Sequence, residues 1–167
     1  MKELRQIRDA VTAALRAEGL AADTAYPGKW AAERKTALAT VSVGAAEGRA
    51  LGLGGYLGET RGDDGQVREV YGKHLEGVIS VDVRAERAAV CEEAAETAAA
   101  ALLGKLPEGI RPGELSWEAL AWEKQTGLFL RRGSLKCEAL FLAERGDQET
   151  EFLDFVLKGV LRSEQSA

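Results

Sequence analysis

The spacing of hydrophobic residues predicts two helices. Over residues 3–18, apolar side chains recur three or four positions apart with charged side chains between them, and Gly19 follows as a typical helix end. The alanine-rich segment 87–106 has similar spacing. Its predicted buried stripe consists of Val90, Ala94, Ala98, Ala101 and Leu102. Because most of these side chains are small, we expect this helix to pack closely against a sheet.

Alternation of apolar and polar residues predicts strands around the second helix. The predicted strands lie at 38–44, 50–59, 67–86, 114–123 and 128–144. Asp64 and Gly65 are a strong hairpin signal, so the second and third strands are expected to form a long β-hairpin. A last helix is predicted over 149–162, where the apolar residues at helical spacing are Phe152, Phe155, Val156 and Val160.

The same alternation predicts which side chains share a face of each strand. In 67–86 the predicted core face carries Ile79, Val81 and Val83. In 114–123 it carries Leu115, Trp117, Ala119 and Ala121. In 128–144 it carries Leu135, Cys137, Ala139, Phe141 and Ala143. We expect these faces to supply the core of the domain.

The elements follow the order α-β-β-β-α-β-β-α. This order predicts an α+β fold with a mixed or antiparallel β-sheet, a long β-hairpin and helices packed on one face. No internal repeat or low-complexity linker divides the 167 residues, a length that suits one domain with its own core. We therefore expect a single domain over 1–167, in which 145–167 form a C-terminal helical extension.

The charge and the cysteines narrow the class of protein. The chain has 22 basic and 27 acidic residues and a net charge of −5, so it has no bulk attraction to nucleic acid or to an anionic membrane. We expect neither a signal peptide nor a membrane-spanning helix, since charges interrupt every apolar stretch. Cys91 and Cys137 lie far apart in apolar patterns, which predicts buried thiols in a protein made in a reducing cytoplasm.

No residue that could carry chemistry falls into a catalytic or ligand-binding motif. Gly52 begins a G-x-G pattern, but Leu57 stands where a dinucleotide fingerprint needs glycine, and a strand rather than a helix is predicted to follow. His74 is the only histidine and is expected to be a surface or interface residue. Glu118 and Glu123 are expected on opposite faces of one strand. We predict no catalytic residues, no cofactor and no metal site.

Taken in order, several segments resemble the tail-terminator (tail-completion) proteins of tailed phages and prophages. The resemblance covers most of the chain and lies in the order and texture of the elements. The segments that carry it are "LRQIRDAVTAALRAEG", "ALATVSVG", "GLGGYLGETRGDDGQVREVYG", "EGVISVDVRAERAAVCEEAAETAAAALL" and "GELSWEALAWEKQTGLFLRRGSLKCEALFLAE". The predicted helix at 149–162 departs from the family pattern.

The resemblance implies a structural protein that is not an enzyme. Such proteins assemble as a ring, often a hexamer, on the head-proximal end of the tail tube, where the ring stops tube growth and joins the tube to the head. The implied partners are further copies of the chain, the tail-tube protein and the head–tail connector, without sequence-specific nucleic acid or a membrane. The implied location is the bacterial host cytoplasm during assembly, and then the virion tail.

Two alternatives stay open. One is another head–tail connector or a contractile-injection-system component, which would share the ring and the absence of catalysis. The other is a small enzyme or ligand-binding α+β domain with a pocket near His74, built from residues dispersed along the sequence.

The predicted hairpin around residues 56–71 is the expected contact element, because long hairpin tips commonly contact other molecules. The candidate interface residues are Tyr56, Leu57, Arg61, Asp63, Asp64 and Tyr71.

Overall fold

The computed structural model describes residues 2–28, 36–146 and 153–158, which form two helices and eight strands. In chain order the elements are α1 (Lys2–Ala17), β1 (Ala21–Asp23), β2 (Leu38–Ala50), β3 (Tyr56–Arg61), β4 (Val67–Ala85), α2 (Ala88–Gly104), β5 (Ile110–Trp117), β6 (Ala121–Glu123), β7 (Leu128–Arg145) and β8 (Val156–Leu157). β1 is parallel to β2 and the other paired strands are antiparallel. The predicted α+β fold with a mixed sheet and a long hairpin is therefore confirmed.

All the strands belong to one sheet, whose main path has the order β1-β2-β4-β7-β5. The long strands β4 and β7 are neighbours in the middle and stay paired from Glu69 opposite Arg145 to Ala85 opposite Phe129. β3 pairs with β4 beyond the end of β2. β6 and β8 pair with β7 on either side of β5. The longest strands thus extend past their shorter neighbours.

Both helices cover one face of the sheet, which we call the helix face, and we call the opposite one the open face. α1 buries Ile7, Val11 and Leu15 in the same hydrophobic core as the α2 stripe. In that stripe Ala94, Ala98, Ala101 and Leu102 are buried and Val90 is partly buried, as predicted. Among the described residues, no helix combines the length and apolar composition needed to cross a lipid bilayer.

Most of the predicted strand faces are confirmed. The three predicted core residues of β4 and all five of β7 are buried. Among the described residues, Phe141 is the largest fully buried side chain, with 0% exposure. Because directly opposed residues of paired strands lie on the same face, β4 and β7 together build a continuous aliphatic surface beneath the helices.

The prediction of one continuous strand over 114–123 is wrong. β5 ends at Trp117, and residues 118–120 lie between it and β6 without strand structure. Trp117 is opposite Gly133, so an unbroken register would place Ala121 opposite Phe129, but Ala121 is opposite Leu130. A slip of one residue turns a side chain to the other face, so Ala121 does not share the face of Trp117.

The predicted helix over 149–162 is also wrong where the structure describes it. Val156–Leu157 form β8, which pairs with β7, and the Lys158 N–H donates to the Leu140 carbonyl. Between 153 and 158, half-buried and exposed residues alternate, which is the period of a strand. The remainder of that predicted helix, and part of the predicted 145–167 extension, lie outside the described residues.

Strand β2 continues to Ala50, well past the predicted end at residue 44. The register against β4 shifts between Val43 and Ala46 because β2 carries a bulge there. An extra residue at a bulge interrupts the alternation of side chains, so the pattern in the sequence stops although the strand does not.

Candidate functional site

The hairpin β3–β4 and the loop before it form a β-arm, which we define as residues 51–71. No residue of β3 is buried. Leu53, Leu57 and Val67 are 92%, 43% and 43% exposed. Exposed apolar side chains are a common feature of contact surfaces. The β-arm carries several of them, and its role as an interface stays a prediction.

The glycines of the β-arm shape a tight turn. Gly52 has a φ of +62°, which favours glycine, and a Cβ at this position would lie 2.4 Å from the Tyr56 carbonyl oxygen. The element that follows this turn is β3. A phosphate cradle of the dinucleotide type needs a helix N-terminus at that point. The prediction that a strand rather than a helix follows these glycines is confirmed.

Three leucines converge on the open-face side of the β-arm. A Cβ placed on Gly72 would lie 2.6 Å from the Leu57 side chain and 3.2 Å from those of Leu51 and Leu142. A glycine at this position therefore lets the three side chains meet over the backbone. Leu57 was predicted as an interface residue, and here it belongs to an apolar patch on the surface.

The two predicted tyrosines lie opposite each other on β3 and β4. Their rings meet edge to face with centroids 5.8 Å apart, a geometry that aromatic pairs prefer. The Tyr71 hydroxyl donates a hydrogen bond to Glu69 at 2.8 Å, and this bond raises the pKa of Tyr71. Tyr56 is 40% exposed, whereas Tyr71 is half-buried.

The remaining predicted interface residues lie at the tip of the β-arm. Arg61 and Asp63 are exposed. The Asp64 carboxylate accepts hydrogen bonds from the Gln66 N–H and from the Arg68 guanidinium, so it stabilises the turn itself. The six predicted residues thus lie in one arm, and their role as an interface stays a prediction.

Polar residues on the open face form rows that run across the strands. One row consists of Ser42, Ser80, Ser134 and Ser116, on β2, β4, β7 and β5. A second row on the same strands consists of Glu47, Glu76, Glu138 and Arg111. A groove of about 490 Å³ crosses the open face between these rows. Members of a row are far apart in the sequence, so only the strand pairing reveals them.

His74 lies on the open face between two carboxylates. Its Nδ1 is 3.6 Å from the Glu76 Oε1, and its Nε2 is 3.4 Å from the Glu138 Oε2. The ligand atoms of these residues lie within 4.8 Å of one another, a spacing that could hold a metal ion. However, the two ring nitrogens face different carboxylates, and Arg49 already pairs with Glu76 at 3.3 Å. This geometry favours a surface charge cluster over a metal centre.

A buried ion pair lies at the other end of β4. The Arg84 guanidinium donates to both carboxylate oxygens of Glu123, at 2.8 and 3.1 Å. The Thr126 hydroxyl donates to the same carboxylate at 2.6 Å. The hydrogen bonds from Arg84 lower the pKa of Glu123 to about 2. Sequence analysis missed this pair because residues 118–120 decide where Glu123 points.

The cysteine thiols are buried, as predicted. Burial raises the pKa of Cys137 to about 11 and also raises the pKa of Cys91. Cys137 belongs to the hydrophobic core on the helix face, whereas His74 lies on the open face. A catalytic thiolate–imidazole pair of these two residues would need both on the same side of the sheet, so the geometry opposes such a pair.

No protein-family model and no curated protein matches the chain. Among solved structures, the chain is similar to one from the virion of a native gene transfer agent particle. The two are 22% identical, and the alignment covers 84% of this chain and 95% of that chain. The TM-score is 0.34, which is too low for this similarity to carry an argument about function.

Proposed function

We propose that the protein is a structural component of a phage or prophage tail, namely a tail terminator (tail-completion) protein. In this proposal it assembles as a ring, a hexamer, at the head-proximal end of the tail tube and joins the tube to the head. It acts through shape and contact, without a catalytic residue, cofactor or metal. Its partners are further copies of itself, the tail-tube protein and the head–tail connector.

The observation that carries this proposal is the β-arm. It exposes leucine side chains to solvent at one end of the sheet, whereas the other end of the sheet is buried in the hydrophobic core. An exposed apolar surface loses contact with water when it binds a partner, which supplies a driving force of about 25 cal/mol per Å² of apolar area. The resemblance to tail-terminator proteins implies that this partner is the tail tube or the neighbouring copy.

The proposal is tested by assembling the tail-tube protein of the same genome with and without this protein and measuring tube lengths by electron microscopy. We expect shorter tubes that carry a cap at one end when the protein is present. The variant Leu53→Ser/Leu57→Ser should lose capping, because it removes apolar side chains from the β-arm. Leu103→Ser is the matched control, since Leu103 is 52% exposed on α2, outside the β-arm.

Equal tube lengths with and without the wild-type protein would overturn the proposal. Full capping by the β-arm variant would show that capping does not depend on these leucines.

A further inference from the structure

Residues 153–158 lie along the edge of β7 beyond the start of β5, and we call them the strap. Within the strap, half-buried and exposed residues alternate. Phe155 and Leu157 pack against the hydrophobic core, whereas their neighbours in the strap are exposed. Only the two residues of β8 pair with β7. The strap is therefore a short amphipathic strand that is added to the edge of the sheet.

The C-terminal half of the strap lies in a well-fitted position, which we call the strap site. Leu157 is opposite the fully buried Phe141. The Lys158 N–H donates to the Leu140 carbonyl. A Cβ placed on Gly109 would overlap the Lys158 carbonyl oxygen, so glycine at this position leaves room for the backbone of the strap. Residues outside the strap thus shape a site for it.

The N-terminal half of the strap is held less firmly. Asp154 forms an ion pair with Lys2 at 2.7 Å, but both side chains are exposed, and exposed ion pairs contribute little to stability. The Lys73 ammonium lies 4.0 Å from the ring centroid of Phe155. Phe155 and Leu153 nevertheless border a cleft of about 370 Å³ between the strap and the β-arm, and side chains beside unfilled space lose packing contacts. The strap site is well fitted, whereas the segment that leads into it is not.

The segment between β7 and β8 is longer than their pairing requires. Residues 146–155 separate the two strands, whereas neighbouring antiparallel strands are commonly joined by about two to five residues. Ten extended residues span up to about 33 Å. The five strands of the main sheet path are together only about 19 Å across. The strap can therefore reach an adjacent copy without a change in the rest of the fold.

An identical strap from another copy would fit the strap site as well as the copy's own strap does. It would keep the pairing with Leu142, the packing on Phe141 and the hydrogen bond to the Leu140 carbonyl. In the free protein the covalent tether favours the copy's own strap, because the tether gives it a high effective concentration at the site. In an assembly the strap of the neighbouring copy is also held close, so exchange becomes a low-cost link between copies.

We propose that each copy in the assembled ring places its strap in the strap site of the next copy. Val156 of one copy is then opposite Leu142 of another. Each junction joins two different surfaces, a donated strap and a strap site, and such heterologous contacts close a ring when the rotation between copies permits it. The inference rests on the proposed function for the need of a ring, and it adds the segment that links the copies.

The test uses cysteines at the opposed positions 142 and 156. Opposed residues on antiparallel strands have Cα atoms about 4.5–5.5 Å apart, which a disulfide permits. In the free protein, Leu142→Cys/Val156→Cys should form a disulfide within one chain. Copies with Leu142→Cys alone are then mixed with copies that carry Val156→Cys alone, assembled with the tail-tube protein and oxidised. Non-reducing gels should show covalent dimers, because a disulfide between these two positions then requires an exchanged strap.

A mixture of Leu142→Cys and Leu103→Cys is the matched control, since Leu103 is exposed on α2, outside the strap. Dimers that form at least about tenfold faster in the strap mixture than in the control would support the inference. Assembly without such dimers would overturn the inference but leave the proposed ring intact. Failure of the wild type to assemble, measured by light scattering with the tail-tube protein, would overturn the proposed self-assembly and the inference together.

A substitution in the strap gives a second measurement. Leu157→Ser should weaken association between copies by about tenfold, because in the ring it removes an apolar side chain from a contact between two copies. Val156→Ser is the matched control, as Val156 is exposed in the same strap. Circular dichroism checks that both variants keep the fold. Without exchange, Leu157→Ser would loosen the strap only within its own copy, so equal association of this variant and the wild type would contradict the inference.

Discussion

Both ends of strand β4 contain apolar side chains, but only one end is buried beneath other elements. At its C-terminal end, Val81, Val83, Arg84 and Ala85 are all buried. At its N-terminal end, residues 67–71 include no buried side chain, although two valines and a tyrosine are among them. At one end α2 packs on the helix face and Glu123 of β6 pairs with Arg84 on the open face, whereas the other end lies in the β-arm. The comparison shows that an alternating strand is core only where another element covers it.

The largest expected effect concerns the buried end. The pKa of Glu123 is lowered from the ordinary 4.5 to about 2, first by its hydrogen bonds with Arg84. A lowered pKa in the folded state means that the stabilisation is fully present above pH 4.5 and is lost as the pH falls towards 2. We expect the free energy of unfolding to fall by roughly 3 kcal/mol over this range from this group alone.

Denaturant unfolding at a series of pH values checks this expectation. Glu123→Gln should remove this part of the pH dependence, whereas Glu59→Gln, at an exposed position in the β-arm, should leave it unchanged. Parallel pH profiles for the wild type and Glu123→Gln would show that the Arg84 pair does not contribute to acid sensitivity.

A smaller effect is expected at the seam between α2 and the sheet. Ala98 is 0% exposed, so Ala98→Leu adds volume where no space exists and should reduce the free energy of unfolding by about 1–3 kcal/mol. Ala100→Leu is the matched control, because Ala100 is exposed on the same helix. Equal stability of both variants, measured by denaturant unfolding, would mean that the seam can relax.

The smallest effect is expected in the β-arm. Leu53 is 92% exposed, so Leu53→Ser should change the free energy of unfolding by no more than about 0.5 kcal/mol. A loss above about 1 kcal/mol would show that Leu53 contributes to the fold and would weaken its assignment to a contact surface. The free energy of unfolding should therefore change strongly when the ion pair at the buried end of β4 is lost, and only slightly when a side chain of the β-arm is replaced.

Much of the fold could be predicted because its signals are local. The hydrophobic periodicity of α1, α2, β4 and β7 can be recognised from neighbouring residues, and the buried faces predicted from it agree with the structure. The errors lie where one extra residue interrupts a period. The irregular residues 118–120 shift β6 by one residue against β7. The bulge in β2 interrupts the alternation of side chains, so the last six residues of that strand were not predicted.

The candidate site was predicted only in part. The hairpin and its six candidate residues could be found because turn formers between strands are a sequence signal. Leu53 was missed, since its exposure depends on the absence of a covering element rather than on its own neighbours. The open-face rows were missed because each joins residues from four separate strands.

The sequence by itself determined the class of fold, the core faces of the long strands and the position of the hairpin. These follow from helical and strand periods and from turn residues, which act over a few neighbouring positions. Only the tertiary structure decided which apolar residues remain exposed, where Glu123 meets Arg84, and which strands end as free edges. Those outcomes depend on register and coverage, which are set by contacts between residues far apart in the chain.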